Sequence, residues 1–467
     1  MKARPFQFLE VPRRLPRELP ANVRVLGWQE IHAGFEAEGA AEQSARCLDC
    51  GNPYCEWKCP VHNPIPDWLA LVREGRLFEA AELAHSTNPL PEVCGRVCPQ
   101  DRLCEGSCTL NTGFEAVTIG SIEKYIVDEA FRQGWRPDLS AVPTSGKRVA
   151  VIGAGPAGLA CADRLARAGI EAHVFDRHAQ IGGLLSYGIP AFKLEKSVMD
   201  LRRMVLEEMG VRFHLGVEVD ATLAGELLRD YDAMFLGTGA TTPVDAGLPG
   251  QDLPGVLSAL PFLVANARRQ RGEKHEGDVP FALAGRRVLV LGGGDTAMDC
   301  VRSAVRLGAA QVTCAYRRGE ADMPGSAREV KYARAEGVQF LFHRQPLAIE
   351  GETSVTGVTL AATRASSGRA GSVELVPGSE ETIAADVVIQ SFGFRPSPAP
   401  WWPDCGIELD SRGHVATRGA AGATSHPKIF AGGDNVRGAD LVVTAVYDGR
   451  EAGTAIARQL LRTASSL

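Results

Sequence analysis

The 467-residue chain is too long for a single hydrophobic core and is expected to divide into about three domains. With 45 % hydrophobic residues, 51 glycines and a net charge of −6, it reads as a soluble α/β protein with tight turns and no nucleic-acid signature. No apolar run approaches the roughly 20 residues of a membrane span and no signal-peptide stretch opens the chain, so the cytoplasm is the expected compartment.

The basic start (Lys2, Arg4, Arg13, Arg14, Arg17) is broken by prolines and acids and reads as a solvated arm. Eight of the twelve cysteines then fall between Cys47 and Cys108, in two runs of four. The first is C-x2-C-x4-C-x3-C-P (Cys47, Cys50, Cys55, Cys59, Pro60); the second is C-x3-C-P-x4-C-x3-C (Cys94, Cys98, Pro99, Cys104, Cys108). Thiolates this dense, with no export signal, are metal ligands rather than disulfides. Structural zinc usually pairs two short hooks across a spacer of about a dozen residues or more. Here four cysteines sit within thirteen residues and a second dense run follows, which points to two [4Fe–4S] clusters. In the bacterial ferredoxin run that ends in Cys-Pro, the fourth cysteine ligates the other cluster. That crossover assigns Cys47, Cys50, Cys55 and Cys108 to cluster 1, and Cys59, Cys98 and Cys104 to cluster 2. Counting alone makes Cys94 the eighth ligand.

Around the cysteines the spacing predicts short helices. Pro64 to Ala84 carries Ile65, Trp68, Leu69, Val72, Leu77 and Leu83 at helical period and is expected to break near Gly75, and Ser121 to Phe131 is a further helix. Pro137 to Gly146 reads as a linker, after which strand–glycine–helix units begin.

The first unit has a strand at Val149 to Ile152, glycines Gly153, Gly155 and Gly158 in G-x-G-x-x-G register with Pro156 and Ala157 between them, and a helix from Pro156 to Ala168. The next strand, His173 to Phe175, ends at Asp176, eighteen residues beyond Gly158. This is a dinucleotide fingerprint: the glycines let the backbone approach a diphosphate at the helix N-terminus, and Asp176 meets the adenosine ribose. The second unit begins about 140 residues later, with Gly292, Gly294 and Ala297 in G-x-G-x-x-A register around Asp295 and Thr296. Its second strand, Gln311 to Tyr316, ends in Arg317-Arg318, which suit the 2′-phosphate of NADP. Glu320 and Asp322 lie close by, and the competing reading of the arginines is a solvated strand end.

Two nucleotide sites and two clusters imply an electron path. A hydride delivers electrons as a pair, clusters take them singly, and flavin can divide the pair. FAD is therefore expected at the first fingerprint and NADPH at the second. Lys428 to Asp434 reads as a strand ending in Gly-Gly-Asp before a helix over Leu441 to Leu460, with Gly433, Asp434 and Thr444 as expected flavin contacts. Gly182-Gly183-Leu184-Leu185 and Tyr187 to Lys193 read as segments running close to the flavin, or else as loop packing. Thr238-Gly239 and Gly393, each after an apolar strand, read as the crossings between the two nucleotide domains. Cys161, Cys300, Cys314 and Cys405 are isolated, which argues against a dithiol reductase.

The cysteine block, Val151-Ile-Gly-Ala-Gly-Pro-Ala-Gly-Leu, Gly182-Gly-Leu-Leu, Tyr187-Gly-Ile-Pro, Gly292-Gly-Gly-Asp-Thr-Ala and Ala431-Gly-Gly-Asp together resemble the small (β) subunits of bacterial NADPH-dependent glutamate synthase. The module is also similar to the N-terminal half of dihydropyrimidine dehydrogenase. The resemblance implies an α/β fold with two Rossmann-like dinucleotide-binding domains of the adrenodoxin reductase and glutathione reductase type, preceded by an α-helical iron–sulfur domain. The expected units are 1–145 (helical, two clusters), 146–243 (FAD, first segment), 244–393 (NADPH) and 394–467 (FAD, second segment). It implies electron flow from NADPH through FAD and the clusters to a large subunit that carries FMN and an iron–sulfur cluster and makes glutamate from glutamine and 2-oxoglutarate. In dihydropyrimidine dehydrogenase the extra cysteine is not a ligand and a glutamine completes the second cluster. The matching position is Glu123, preferred on this ground to Cys94. Competing readings are the same module serving another partner, and a non-enzymatic redox sensor.

Overall fold

The computed structural model describes residues 6–366, 372–419 and 421–464. In the N-terminal region the periodic apolar stretches become helices that bury those faces together: α1 (Ile65–Glu74), α2 (Leu77–Thr87), α3 (Pro91–Val97) and α4 (Ile119–Arg132). Gly75, at φ 78°, ends α1 in the left-handed turn that glycine adopts without strain, and its N–H bonds back to Val72 O at 3.0 Å. Trp68, Leu69, Ile122 and Ile126 form the core, and Cys47, Cys55, Cys59, Cys104 and Cys108 pack against it. Helices α3 and α4 meet at backbone contact, because a Cβ on Gly95 would lie 2.7 Å from the amide nitrogen of Lys124. This crossing sets Cys94 and Cys98 beside Glu123. In the described stretch of the basic arm Arg14 and Arg17 are exposed, as expected of a solvated arm, while Arg13 is half-buried; Arg13 pairs with Glu105 and Arg14 with Glu42, tying the arm to the helices. Lys2 and Arg4 lie outside the described residues.

The next stretch contains β1 (Arg148–Ile152), α5 (Pro156–Arg167), β2 (Glu171–Asp176), β3 (Arg212–Leu215) and β4 (Ala233–Leu236). A short ribbon strand β5 (Thr242–Pro243) then leads to β6 (Val256–Ser258), β7 (Arg287–Leu291), α6 (Asp295–Arg306), β8 (Gln311–Tyr316), α7 (Ala327–Ala335) and β9 (Gln339–Phe342). An antiparallel insert over 344–384, which the sequence pattern does not anticipate, precedes β10 (Val387–Gln390), ribbon strand β11 (Phe394–Arg395), β12 (Ile429–Ala431) and α8 (Val442–Ala464). The first sheet is parallel in the order β12-β4-β1-β2-β3, and the second is parallel in the order β6-β10-β7-β8-β9. Strands β1, β4, β7 and β10 are almost wholly buried apolar runs, as expected of parallel strands covered on both faces. The chain leaves the first sheet after β4 and returns after β10 through the paired ribbon β5–β11.

Helix α8 lies against α5 so closely that a Cβ on Gly449 would stand 1.9 Å from the carbonyl oxygen of Ala157. Alanine is favoured over glycine in a helix by about 1 kcal/mol, but overpacking of a rigid backbone contact costs about 1–3 kcal/mol. Gly449→Ala is therefore expected to lower the thermal midpoint. A raised midpoint in differential scanning calorimetry would contradict this packing.

Candidate functional site

A cavity of about 980 Å³ opens where the helical domain and the two parallel-sheet domains meet. The first fingerprint supplies Gly153, Gly155, Pro156 and Ala157, and the second glycine segment supplies Gly183 and Leu184. Thr238, Gly239, Gly433 and Asp434 also line it. The turn after β1 tolerates no side chain: a Cβ on Gly153 would meet Gly237 O at 2.4 Å, and one on Gly158 would meet Gly153 O at 1.9 Å. Gly158 therefore acts behind the cavity wall, holding helix to strand. Gly155 caps α5 without a side-chain hydrogen bond, so the first N–H groups of the helix face the cavity end uncapped by the chain. Asp176 lines the cavity and is braced there: the N–H of Ala154 donates to Oδ2 and that of His178 to Oδ1, each at 2.8 Å. Gly183, at φ 53°, brings its backbone to the first turn, its Cβ position lying 3.1 Å from Gly155 Cα. Burial, with Asp440 and Asp448 adding, pushes the Asp434 carboxyl up to about 7. Thr444 does not line the cavity: its hydroxyl donates to Leu441 O at 2.6 Å, while Val442 and Ala445 present themselves instead. The size and the side-chain-free turn suit a dinucleotide such as FAD.

Of the second fingerprint only Asp295 and Thr296 reach this cavity. Gly292, Gly294 and Ala297 form the turn behind them, where a Cβ on Gly292 would meet Ser391 O at 2.3 Å. Gly393, at φ 99°, stands at the crossing, its carbonyl accepting from Val244 at 3.0 Å. Arg317 is exposed at the end of β8, whereas Arg318 folds back so that its Nε donates to the Tyr316 hydroxyl at 3.0 Å. The nearby acids are engaged elsewhere: Glu320 pairs with Arg334 at 3.0 Å, and Asp322 accepts from the Gly319 N–H at 3.2 Å.

The cysteines gather in two groups. Cys47, Cys50, Cys55 and Cys108 line one small cavity. Cys59, Cys98 and Cys104 lie together inward of it, near Cys94 and Glu123. Burial pushes the Cys47 thiol up to about 11 and those of Cys55 and Cys59 up to about 12; nearby thiols and, for Cys59, Glu123 add to this. Such thiols ionise only when a cationic centre supplies the missing charge, and that is the donor chemistry of a cluster site. Among the described residues no three His, Cys, Asp or Glu side chains close on a single ion. Both candidates for the eighth ligand adjoin Asn88: its Nδ2 donates to Glu123 Oε1 at 3.0 Å, and its Oδ1 lies 3.7 Å from Cys94 Sγ. Burial pushes the Glu123 carboxyl up to about 8.

Further residues line the cavity, His32 and Lys124 among them without any signal in the sequence. Cys98, Pro99, Lys124 and His32 bring the helical domain to the cavity wall. Lys193 reaches across it from the first sheet domain to Asp299 at 2.8 Å and Glu329 at 3.7 Å in the second. The two carboxylates hold Lys193 charged, while burial pushes Asp299, which shares that cation with Glu329, up to about 6. Lys193 ends the Tyr187 to Lys193 segment that the sequence places close to the flavin, but its carboxylate partners are not readable there. Cys161, Cys300 and Cys314 are buried as expected of bystanders, and Cys405 is half-buried.

The fold and cavity define a flavoprotein reductase of the two-dinucleotide-domain class with an iron–sulfur domain in front. Residues 24–135 match the family described as dihydropyrimidine dehydrogenase domain II, 4Fe-4S cluster, and residues 147–449 match pyridine nucleotide-disulphide oxidoreductase. The glutamate synthase [NADPH] small chain of Halomonas elongata is 59 % identical, with 97 % of each chain covered. That of Escherichia coli is 57 % identical, covering 97 % of this chain and 98 % of its own. The E. coli putative oxidoreductase AegA is 51 % identical over 94 % of this chain but only 69 % of its own. Among solved structures, FprA of Mycobacterium tuberculosis in complex with NADPH superposes with a TM-score of 0.56 at 20 % identity, covering 68 % of this chain and 85 % of that one, a likeness of fold. The chain belongs to the glutamate synthase [NADPH] small-chain family.

The cluster site and the floor of the cavity can each be tested by substitution. Glu123→Ala should lower iron content or alter the cluster spectrum, while Cys94→Ser should leave both nearly intact; the reverse pattern would assign the eighth ligand to Cys94. Lys196, whose Nζ donates to Leu185 O at 2.8 Å beneath the Gly183 turn, is lowered to about 7 by burial, with Arg271 adding. The folded chain then binds fewer protons than the unfolded one between that value and the ordinary lysine range, so this lysine makes stability rise with pH across the window. Lys196→Met should flatten the rise of unfolding free energy between pH 7 and pH 10 in denaturant titrations; an unchanged slope would show that the lysine does not titrate there.

Proposed function

We propose that this chain is the NADPH-oxidising, electron-input subunit of a glutamate synthase. The observation that carries the reading is the 59 % and 57 % identity, over 97 % of the chain, to glutamate synthase [NADPH] small chains. Bound in the cavity, FAD would supply the chemistry that no side chain provides, taking a hydride from NADPH and passing electrons singly to [4Fe–4S] clusters. The units are 1–145, 146–243, 244–393 and 394–467, and the protein's role is to bind, orient and shield.

Gly153, Gly155, Pro156, Ala157 and Gly158 cradle the FAD diphosphate on the α5 N-terminus, and Asp176 holds the ribose. Gly183, Leu184, Thr238 and Gly239 flank the ring, with Gly433 and Asp434 on the ribityl side. Gly292, Gly294, Asp295, Thr296 and Ala297 form the NADPH turn; Arg317 and Arg318 take the 2′-phosphate, and Gly393 gives room at the crossing. Lys193, charged between Asp299 and Glu329, keeps the sheet domains in register across the cavity. Cys98 and Pro99 line the same cavity, so cluster 2 (Cys59, Cys98, Cys104, Glu123) adjoins the flavin. Cluster 1 (Cys47, Cys50, Cys55, Cys108) lies beside Leu48 and Tyr54, both exposed, and is the exit. The partner on that side would be a large subunit carrying FMN and an iron–sulfur cluster, in a cytoplasmic hetero-oligomer. Among the described residues no helix is long and apolar enough to cross a membrane.

The AegA likeness favours a second reading, in which the module feeds a different partner. Anaerobic affinity purification from the native cells decides between them. A co-eluting larger chain, with NADPH oxidation dependent on glutamine and 2-oxoglutarate, is the expected result. A different redox partner would leave the module standing and overturn the pathway.

A further inference from the structure

The turn at the N-terminus of α6 is closed by a side chain from another domain. Arg102 belongs to the helical iron–sulfur region, yet its Nη1 donates to the carbonyl of Pro324 at 2.9 Å, 222 positions along the chain. Its Nη2 stands 3.7 Å from Asp295 Oδ2. Pro324 belongs to the segment that lies on the nucleotide turn: Gly325 N–H donates to Gly293 O at 3.1 Å, and Ser326 N–H donates to Asp295 Oδ1 at 2.9 Å. Arg102 therefore sits at the mouth of the second fingerprint.

Charge explains why an arginine is needed there. A helix N-terminus attracts a diphosphate through its free N–H groups and dipole. The first residue of α6, however, is Asp295, whose carboxylate repels the same anion. One of its oxygens is tied to Ser326, and the other faces Arg102. The Arg102 and Asp295 side chains are 45 % and 42 % exposed, so the pair is open to a ligand. A guanidinium has five N–H donors and uses only one on Pro324 O at hydrogen-bond distance.

We infer that Arg102 completes the NADPH diphosphate site from the iron–sulfur domain, neutralising Asp295 and donating to a phosphate oxygen. The inference rests on the reading of Gly292 to Ala297 as the nicotinamide-nucleotide turn. Bound nucleotide then spans two domains, contacting the one that carries the clusters as well as the one that carries its own fingerprint. The diphosphate is common to NADPH and NADH, so Arg102 acts on both, unlike a 2′-phosphate ligand.

The test uses the holoenzyme with ferricyanide as acceptor, which reads hydride transfer to the flavin directly. Arg102→Gln should raise KM for NADPH and NADH alike by about tenfold, with kcat within about twofold and Arg102→Lys recovering most of the loss. Arg317→Ala serves as control and should raise KM for NADPH only. Unchanged KM values in Arg102→Gln, with the NADPH-selective loss present in Arg317→Ala, would overturn the inference and leave the nucleotide site standing. Unchanged KM values in both would remove the reading of the turn itself. Arg102 is two residues from Cys104, so iron is measured in each variant. If Arg102→Gln loses iron, Asp295→Asn, which keeps the Ser326 bond, decides: a lower KM for both nucleotides supports the inference, and an unchanged or higher one overturns it.

Discussion

A buried carboxylate, Glu336, ties the N-terminal segment to the second sheet domain. Arg302 meets it at 2.8 Å, Arg306 at 2.7 Å and Arg24 at 2.9 Å. Arg24 comes from the N-terminal segment and the other two from α6. The network continues through Glu329 to Arg302 and Lys193, and through Lys193 to Asp299, while Glu18 takes the far side of Arg24. Four cations (Arg24, Lys193, Arg302, Arg306) thus face four carboxylates (Glu18, Asp299, Glu329, Glu336). The charge balances, as burial demands. Phe192, of the first sheet domain, lies under Arg306 at 3.9 Å and Arg302 at 4.4 Å. Removing one partner of such a network strands the rest and costs about 3–5 kcal/mol, although the network as a whole adds little net stability. Its contribution is position.

Position is what the chemistry requires. In a hydride transfer the cofactors carry the chemistry, and what a protein supplies is binding and orientation. The cavity draws its walls from the helical domain and both sheet domains, so a small rotation of any one would reshape it. Backbone contacts add rigidity where side chains cannot. Gly95 on Lys124 locks the cysteine-bearing α3 to α4, Gly449 on Ala157 locks α8 to the flavin turn, and Gly153 on Gly237 closes that turn. The fixed frame also explains why Cys98 can stand at the cavity wall while its neighbours remain in the helical core.

Where function depends on local backbone geometry, it was legible in the sequence. The G-x-G-x-x-G and G-x-G-x-x-A turns, the strands before them, Asp176 and the break at Gly75 all follow from rules spanning a few residues. The cysteine spacing foretold two groups for the same reason. Helical phase was harder: Thr444 was expected at the flavin, but Val442 and Ala445, three positions apart on one helix face, reach the cavity in its place. The paired arginines separate in the bend just beyond β8, where Arg318 folds back onto the Tyr316 hydroxyl and Arg317 remains exposed. Contacts across domains were invisible. The basic arm is exposed at Arg14 and Arg17 as its sequence suggests, but the half-burial of Arg13 against Glu105 depends on a partner far along the chain. Arg102, the carboxylate partners of Lys193 and the choice between Glu123 and Cys94 were obscure for the same reason: each is decided by which elements cross.

The central claim is that one cavity sets the flavin between the nicotinamide and the inner cluster. An experimental map of the holoenzyme loaded with NADP⁺ tests it most directly. The account predicts the isoalloxazine within the cavity near Gly183 and Leu184, with the nicotinamide on the Asp299 and Glu329 side and the nearer cluster held by Cys59, Cys98 and Cys104. A flavin ring outside this cavity, or a nearer cluster held by Cys47, Cys50, Cys55 and Cys108, would contradict it.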